Sequence, residues 1–190
     1  MEPLLSILIC SLTARDASLQ RLLGILTPQC DGQPVEIVIE KDEGQLSIGQ
    51  KRQRLLECAK GKYVAFVDDD DFVSTDYVDE ITWALRCCPT ATHCSLRGYL
   101  LQEGHKRRLF EHSNRHTAWS FTNRVFLRPP NHVNAIRRDL ALQAGFEAKS
   151  WGEDRSYSEK LVELDLMTHE AWIEPILYYY YYTAKPQVRT

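Results

Sequence analysis

The chain has 190 residues, 44% of them hydrophobic and 26% charged, with a formal net charge of −3. That is ordinary for one globular domain with a substantial core. No apolar run approaches the ~18 residues of a membrane span, and Met1-Glu2-Pro3 does not open like a signal peptide, so a cytoplasmic protein is expected rather than a membrane or secreted one. Six cysteines (Cys10, Cys30, Cys58, Cys87, Cys88, Cys94) show neither a CxxC pair nor metal-finger spacing, and mostly apolar surroundings read as reduced, buried thiols.

In chain order, Leu4–Cys10 is a near-continuous apolar run of strand length, as in a parallel sheet covered on both faces. Leu19, Leu22, Leu23 and Leu26 follow at helical spacing, with Thr27-Pro28 as the expected stop. Val35–Ile39 predicts a second strand, ending in the charged loop Glu40–Gly44. Ser47–Arg52 opens a second helix with Ile48, Leu55, Leu56 and Ala59 inward, and Gly61 is expected to close it. Tyr63–Val67 is the third strand and runs into four consecutive aspartates, Asp68 to Asp71. Thr75 or Asp76 is expected to cap a helix reaching about Cys88, before Pro89. The alternation predicts parallel strands with right-handed crossovers. The loops after Cys10, Ile39 and Val67 then form one ligand-binding edge.

Beyond His93 the pattern weakens. Ser95–Gln102 and Lys106–Phe110 suggest paired strands, His112–Trp119 a loop, and Arg124–Leu127 a short strand. Helices are expected over Asn134–Ala144 and from Arg155 to about Leu164. A terminal strand carries Tyr178 to Tyr182 with alternately buried and exposed rings and no assigned part in the site, and the last six residues form an expected flexible tail.

Four adjacent carboxylates repel one another, and carboxylate oxygens suit hard cations such as Mg²⁺ or Mn²⁺. The alternative is an acidic turn that caps the next helix. Charge is polarised along the chain. Arg97 to Arg138 holds nine Lys or Arg against two acids, a balance of +7, while Asp68 to Glu80 has seven acids and no base.

Asp68–Asp71 resembles the DxD motif of GT-A type nucleotide-sugar glycosyltransferases, and residues 4 to 165 as a whole resemble family 2 of that group. The likeness rests on Ser6–Arg15, Val35–Asp42, Gly49-x-Lys51-Arg52, Phe66–Asp71 and Gly152-Glu153-Asp154, in that order. It implies a Rossmann-like three-layer α/β/α sandwich with a mainly parallel central sheet. Residues 1–92 would form the donor half, 93–184 the acceptor half and 185–190 the tail. The implied activity is metal-dependent, inverting transfer of a hexosyl or pentosyl group from a nucleoside-diphosphate sugar, most commonly of uridine, to an acceptor hydroxyl.

Carried over by position, Asp68 and Asp70 would hold Mn²⁺ or Mg²⁺, with the choice among overlapping aspartate pairs left open. Ser11, Thr13, Arg15, Asp42, Lys51, Asp68, Asp69 and His132 would line the donor site, with Glu40 as a substitute for Asp42 and Arg52 for Lys51. The alternative for Lys51 and Arg52 is surface charge on a helix, and for His132 a structural histidine. Asp154 is the expected base, with Glu153 second; the alternative for both is helix capping. Trp151 would stack on a sugar or join the core. The family's closing histidine or arginine has no counterpart after the tyrosines, unless Lys185 or Arg189 substitutes. A processive polymerase is not expected, since the extra domain and membrane segment of such enzymes are missing.

The basic window suggests an anionic acceptor contacting Arg107, Arg108, Arg137 and Arg138: a phosphorylated lipid-linked sugar, an acidic glycan or modified nucleic acid. Two other function classes share the same residues. One is a non-catalytic nucleotide-sugar or nucleic-acid binding module, and the other a nucleotidyltransferase or metal-dependent phosphohydrolase.

Overall fold

The computed structural model describes residues 2–102 and 107–182. Their strands are β1 (Leu5–Leu12), β2 (Val35–Asp42), β3 (Tyr63–Phe66), β4 (Phe72–Val73), β5 (His93–Cys94), β6 (Leu96–Gln102), β7 (Arg108–His112), β8 (Ser120–Thr122), β9 (Val125–Arg128), β10 (Ile136–Arg137), β11 (Glu170–Ala171) and β12 (Ile176–Tyr182). The helices are α1 (Asp16–Cys30), α2 (Ile48–Cys58), α3 (Tyr77–Cys87), α4 (Arg138–Ala144) and α5 (Glu153–Glu163), with a 3-10 turn over Thr13–Arg15.

The first sheet has the order β11-β5-β10-β3-β1-β2. β1 lies parallel between β2 and β3, whereas β10 is antiparallel to both of its neighbours. Side-chain alternation separates two cores. Leu5, Ile7 and Ile9 of β1 and Tyr63 and Ala65 of β3 pack with Leu19, Leu22 and Leu26 of α1 and Ile81 and Leu85 of α3. Leu8, Cys10, Val64 and Phe66 face the other way, onto Leu55 and Leu56 of α2, Leu140 of α4, and Tyr157 and Leu161 of α5. This is the expected α/β/α sandwich.

A second sheet, ordered β4-β12-β6-β7-β9-β8, joins the first core through Val73, Leu96, Phe110, Leu177 and Tyr178. Each sheet draws strands from both sides of the sequence midpoint. β4 of the first 92 residues pairs with β12, while β5, β10 and β11 of the later part complete the first sheet.

Several local expectations are corrected. Pro28 does not stop α1, which runs to Cys30. Gln29 Nε2 donates to the Ile25 carbonyl at 2.9 Å and to Ser74 O at 3.0 Å, supporting this last turn. Gly61 is not the cap of α2, which ends at Cys58 with Ala59 as its C-cap; it is small because a Cβ would come 2.6 Å from the Ser6 backbone nitrogen. Neither Thr75 nor Asp76 caps α3 with its side chain; the Val78 N–H is taken by Gln29 Oε1 at 3.1 Å. The expected helix over Asn134–Ala144 starts only at Arg138, because Ile136–Arg137 pairs with β3 and Asn134 is buried among polar groups. Arg124 is not in a strand. With Asn123 it forms the positive-φ turn (48° and 67°) between β8 and β9, and β8 was not anticipated. All six cysteines are free, but Cys58 and Cys87 are exposed rather than buried. The expected tail and the positions of Lys185 and Arg189 lie outside the described residues.

Candidate active site

Parallel pairing brings the carboxyl ends of β1, β2 and β3 to one edge, with Leu12 opposite Asp42 and the Val67 N–H donating to Leu8 O. The aspartates therefore emerge beside Ser11 and the 3-10 turn. They divide by alternation. Asp69 and Asp71 are each 1% exposed. Asp69 accepts from Ser11 Oγ at 2.6 Å and from Arg15 Nη1 at 2.7 Å. Asp71 accepts from the Tyr178 hydroxyl at 2.7 Å and the Tyr181 N–H at 2.8 Å. Burial, and then the charge of Asp68, push the Asp71 carboxyl above the usual carboxylate range.

Asp68 and Asp70 stay on the open side. Asp68 Oδ1 accepts from Arg52 at 2.8 Å, and its Oδ2 lies 3.8 Å from His132 Nε2. Burial alone would raise the Asp68 pKa, but Arg52 and His132 hold it well below the usual carboxylate range. The Asp70 side chain is 46% exposed, and one oxygen lies 3.2 Å from Arg15 Nη2. Burial and the charges of Asp68 and Asp69 raise its pKa against the pull of Arg15.

Much of the compensating positive charge for the aspartate run thus comes from the protein itself. Among the described residues no three His, Cys, Asp or Glu side chains form a self-contained metal cage. Asp70 nevertheless suits a divalent ion, because an added cation would offset the burial and the neighbouring charges of Asp68 and Asp69 that disfavour its ionised form. Such an ion would take Asp68 and Asp70 and complete its shell with ligand phosphates and water, as Mg²⁺ commonly does.

The Gly49-x-Lys51-Arg52 turn braces this edge. Ser47 and Gln50 form a reciprocal capping box at the start of α2. Gly49 fits because a Cβ there would overlap the Glu147 carbonyl oxygen, and its N–H donates to Lys149 O at 3.1 Å. Neither Lys51 nor Arg52 is a surface charge. Lys51 Nζ donates to Ser11 O at 2.9 Å and to Asp42 at 2.6 Å, and this bond holds the Asp42 carboxyl down at about 2. The second Asp42 oxygen accepts the Leu46 N–H at 2.8 Å. Thr13 Oγ1 donates to Asp42 O at 3.2 Å, and Glu40 pairs with Arg54 at 3.4 Å instead of entering the site.

Arg52 continues across to Glu153, 3.2 Å away, beneath the Asp68 carboxylate. Glu153 is therefore buried in an ion pair. Asp154 follows it in the first turn of α5 without capping it, and opens into a cavity of about 370 Å³. His132 enters the same cavity; it is buried, and neither ring nitrogen has a hydrogen-bond partner among the described residues. Trp151 is 92% exposed, so it is not core.

Tyr178 was missed as a site residue. It accepts the Asp68 N–H at 3.2 Å while donating to Asp71, and so locks the aspartate turn onto β12. Tyr180, His112, Asn131, Arg128 and Trp119 also line the cavity. The expected alternation of the tyrosine rings is not found, since Tyr178 is buried and Tyr180 and Tyr181 are both exposed, so it gave no signal for Tyr180; nothing local marked Arg128 beyond membership of the basic window. That window does not form one surface. Arg137 pairs with Asp139 and sits opposite Tyr63, at the end of β3 away from the aspartates, and Arg138 bonds Leu56 O and Glu57 O. Of the four arginines expected at the acceptor, Arg108 lines the cavity, and Arg107 stacks over Tyr99.

The fold is that of Rossmann-like glycosyltransferases. It is similar to S. aureus TarS 1-349 in complex with UDP-GlcNAc, with a TM-score of 0.65 and 12% identity, covering 96% of this chain and 59% of that one. It is also similar to the mannosyltransferase PcManGT from Pyrobaculum calidifontis in complex with GDP-Man and Mn²⁺, with a TM-score of 0.59 and 11% identity, covering 99% of this chain and 59% of that one. The chain thus spans about three fifths of each of these structures. No family model and no curated protein matches the sequence. No described helix is long and apolar enough to cross a membrane.

Proposed function

We propose that the chain is a nucleotide-sugar glycosyltransferase of GT-A family 2 type, transferring a hexosyl or pentosyl group with inversion. The observation that carries this reading is the single Arg52 guanidinium shared by Asp68 and Glu153. It fixes the aspartate turn next to the carboxylate that opens into the cavity. Residues 1–92 would hold the donor, with uridine the first base to test, and residues 93–184 the acceptor.

The donor diphosphate would lie along Asp68 and Asp70, with Arg15 at its side and Ser11, Thr13, Asp42, Lys51 and Asp69 shaping the loop. A bound Mn²⁺ or Mg²⁺ would neutralise charge that develops on the leaving diphosphate. Asp154 accepts the acceptor hydroxyl's proton as its oxygen bonds to the anomeric carbon; the sugar–phosphate bond breaks and the nucleoside diphosphate leaves with the electron pair. Glu153, held by Arg52, would anchor the first turn of α5 that carries Asp154, and His132 would face donor and acceptor together.

Thermal unfolding with a panel of nucleoside diphosphates, with and without Mn²⁺, tests this reading. At about 100 times its dissociation constant the right nucleotide should stabilise the fold by roughly 2.7 kcal/mol, and Asp70→Ala should abolish the shift. Transfer that survives Asp70→Ala would overturn the metal assignment. Release of pyrophosphate would point instead to a nucleotidyltransferase.

A further inference from the structure

The cavity beside Asp154 holds a cation, Arg128, that touches no carboxylate among the described residues. Arg128, at the end of β9, makes no ion pair among the described residues, and its Nε has no hydrogen-bond partner. By contrast Arg15, Arg52, Arg97 and Arg137 each reach a carboxylate. Burial lowers the Arg128 pKa, with Asp154 opposing that effect through space. Its cross-strand partner His112 cannot supply a negative charge, and burial, reinforced by Arg128, depresses the His112 pKa to about 3. A partly buried charge of this kind is costly unless something else brings the opposite charge.

The surroundings indicate what that something is. The guanidinium carbon sits 3.6 Å from the centroid of Trp119, which is itself half exposed at the cavity wall. Phe126, Phe110 and Leu100 continue the apolar wall, and Arg108 reaches over Phe126 at 6.0 Å. A volume of about 370 Å³ is at the small end of ligand pockets, matching a compact molecule better than a polymer segment.

We infer that this cavity takes an acceptor made of one or two flat rings carrying a single phosphate or carboxylate, with the anion on Arg128 and the rings against Trp119 and Phe126. The inference rests on the transferase reading, since it is the acceptor hydroxyl that would meet Asp154. In the transfer, the anion on Arg128 is a handle only: the hydroxyl oxygen forms the new glycosidic bond, its proton goes to Asp154, and the nucleoside diphosphate departs.

Calorimetric titration of the intact protein with phenyl phosphate, benzoate, benzyl alcohol and inorganic phosphate tests it, alongside titration with nucleoside diphosphates and Mn²⁺. Phenyl phosphate or benzoate should bind. Arg128→Met should weaken that binding at least about tenfold, and Arg128→Lys less, since a point charge replaces the fork. Trp119→Ala, at an exposed position that does not threaten folding, should weaken it severalfold. Nucleotide affinity should be unchanged in all three variants. The inference is overturned if benzyl alcohol or inorganic phosphate binds as tightly as phenyl phosphate, or if Arg128→Met and Trp119→Ala leave its binding intact. It is likewise overturned if a short oligonucleotide displaces phenyl phosphate at lower concentration than any small anion. Nucleotide binding without aryl-anion binding sinks this inference alone. Aryl-anion binding with no nucleotide binding sinks the transferase reading and leaves the anion site standing.

Discussion

Arg52 and Glu153 stand 3.2 Å apart, both nearly buried, and the same guanidinium donates to Asp68 at 2.8 Å. Residues from three distant parts of the chain thereby share one positive charge. Removing it strands two carboxylates in a poorly solvated place. Arg52→Met should cost about 3–5 kcal/mol, the usual penalty for breaking a buried pair from one side, read as a lowered denaturant midpoint. Glu153→Gln in the same background should recover part of that loss, because one stranded charge is then gone.

Asp69 and Asp70 are neighbours with opposite expectations. Asp69→Asn removes a charged acceptor from Ser11 and Arg15 and should cost about 1–3 kcal/mol. Asp70 has its pKa raised in the fold, so its ionised form is disfavoured there relative to the unfolded chain. Asp70→Asn should therefore leave stability at neutral pH unchanged or slightly higher, while Mn²⁺-dependent nucleotide binding disappears. A matched loss of stability in both variants would contradict this division.

Asp154 lines the cavity and is the base in the proposed transfer, while Glu153 is engaged with Arg52. Asp154→Asn should lower kcat by about 10²- to 10⁴-fold, the typical contribution of a general base, with nucleotide affinity retained. Glu153→Gln should reduce thermal stability more than Asp154→Asn does. Steady-state kinetics combined with melting curves separates the two.

His112 is buried, and its pKa is depressed to about 3 by burial and then by Arg128. Between about pH 6.5 and pH 3 the unfolded chain binds a proton at this residue that the native state does not. Stability attributable to His112 is present above pH 6.5 and is lost as pH falls through that window. In Arg128→Met the His112 pKa should rise, because the like charge is gone, and NMR titration of the imidazole Cε1–H resonance would read it directly.

Gly49 lies where α2 meets the loop before Gly152. Gly49→Ala would drive a methyl group into the Glu147 carbonyl oxygen. Overpacking of this kind costs about 1–3 kcal/mol, and hydrogen exchange should localise the loosening to residues 145–152.

The first half of the fold was legible because its signals are local. Apolar runs of strand length, helical leucine spacing and the Ser47–Gln50 box each report on a few neighbouring residues. They yielded β1 to β3, α1 to α3 and the edge shared by the carboxyl ends of those strands. β2 ran further than expected, to Asp42, because pairing with β1 outweighs the polarity of Glu40 and Lys41. In the second half, elements of two to five residues such as β5, β10 and β8 owe their existence to partners far away in sequence, so no local pattern announced them.

Residue types and their order already pointed to carboxylates at a strand end, a basic turn and a Glu-Asp pair ahead of a helix. Only tertiary structure decided their separate duties. The turn that follows β3 buried Asp69 and Asp71 and left Asp68 and Asp70 open, and the docking of β12 placed Tyr178 against that turn. The position of β10 carried Arg137 and Arg138 to the opposite end of β3, while β9 delivered Arg128 to the cavity. The physical reason is that charge reads the same in sequence wherever it ends up, whereas its chemistry depends on burial and on the partner within about 4 Å, which only the packed chain defines.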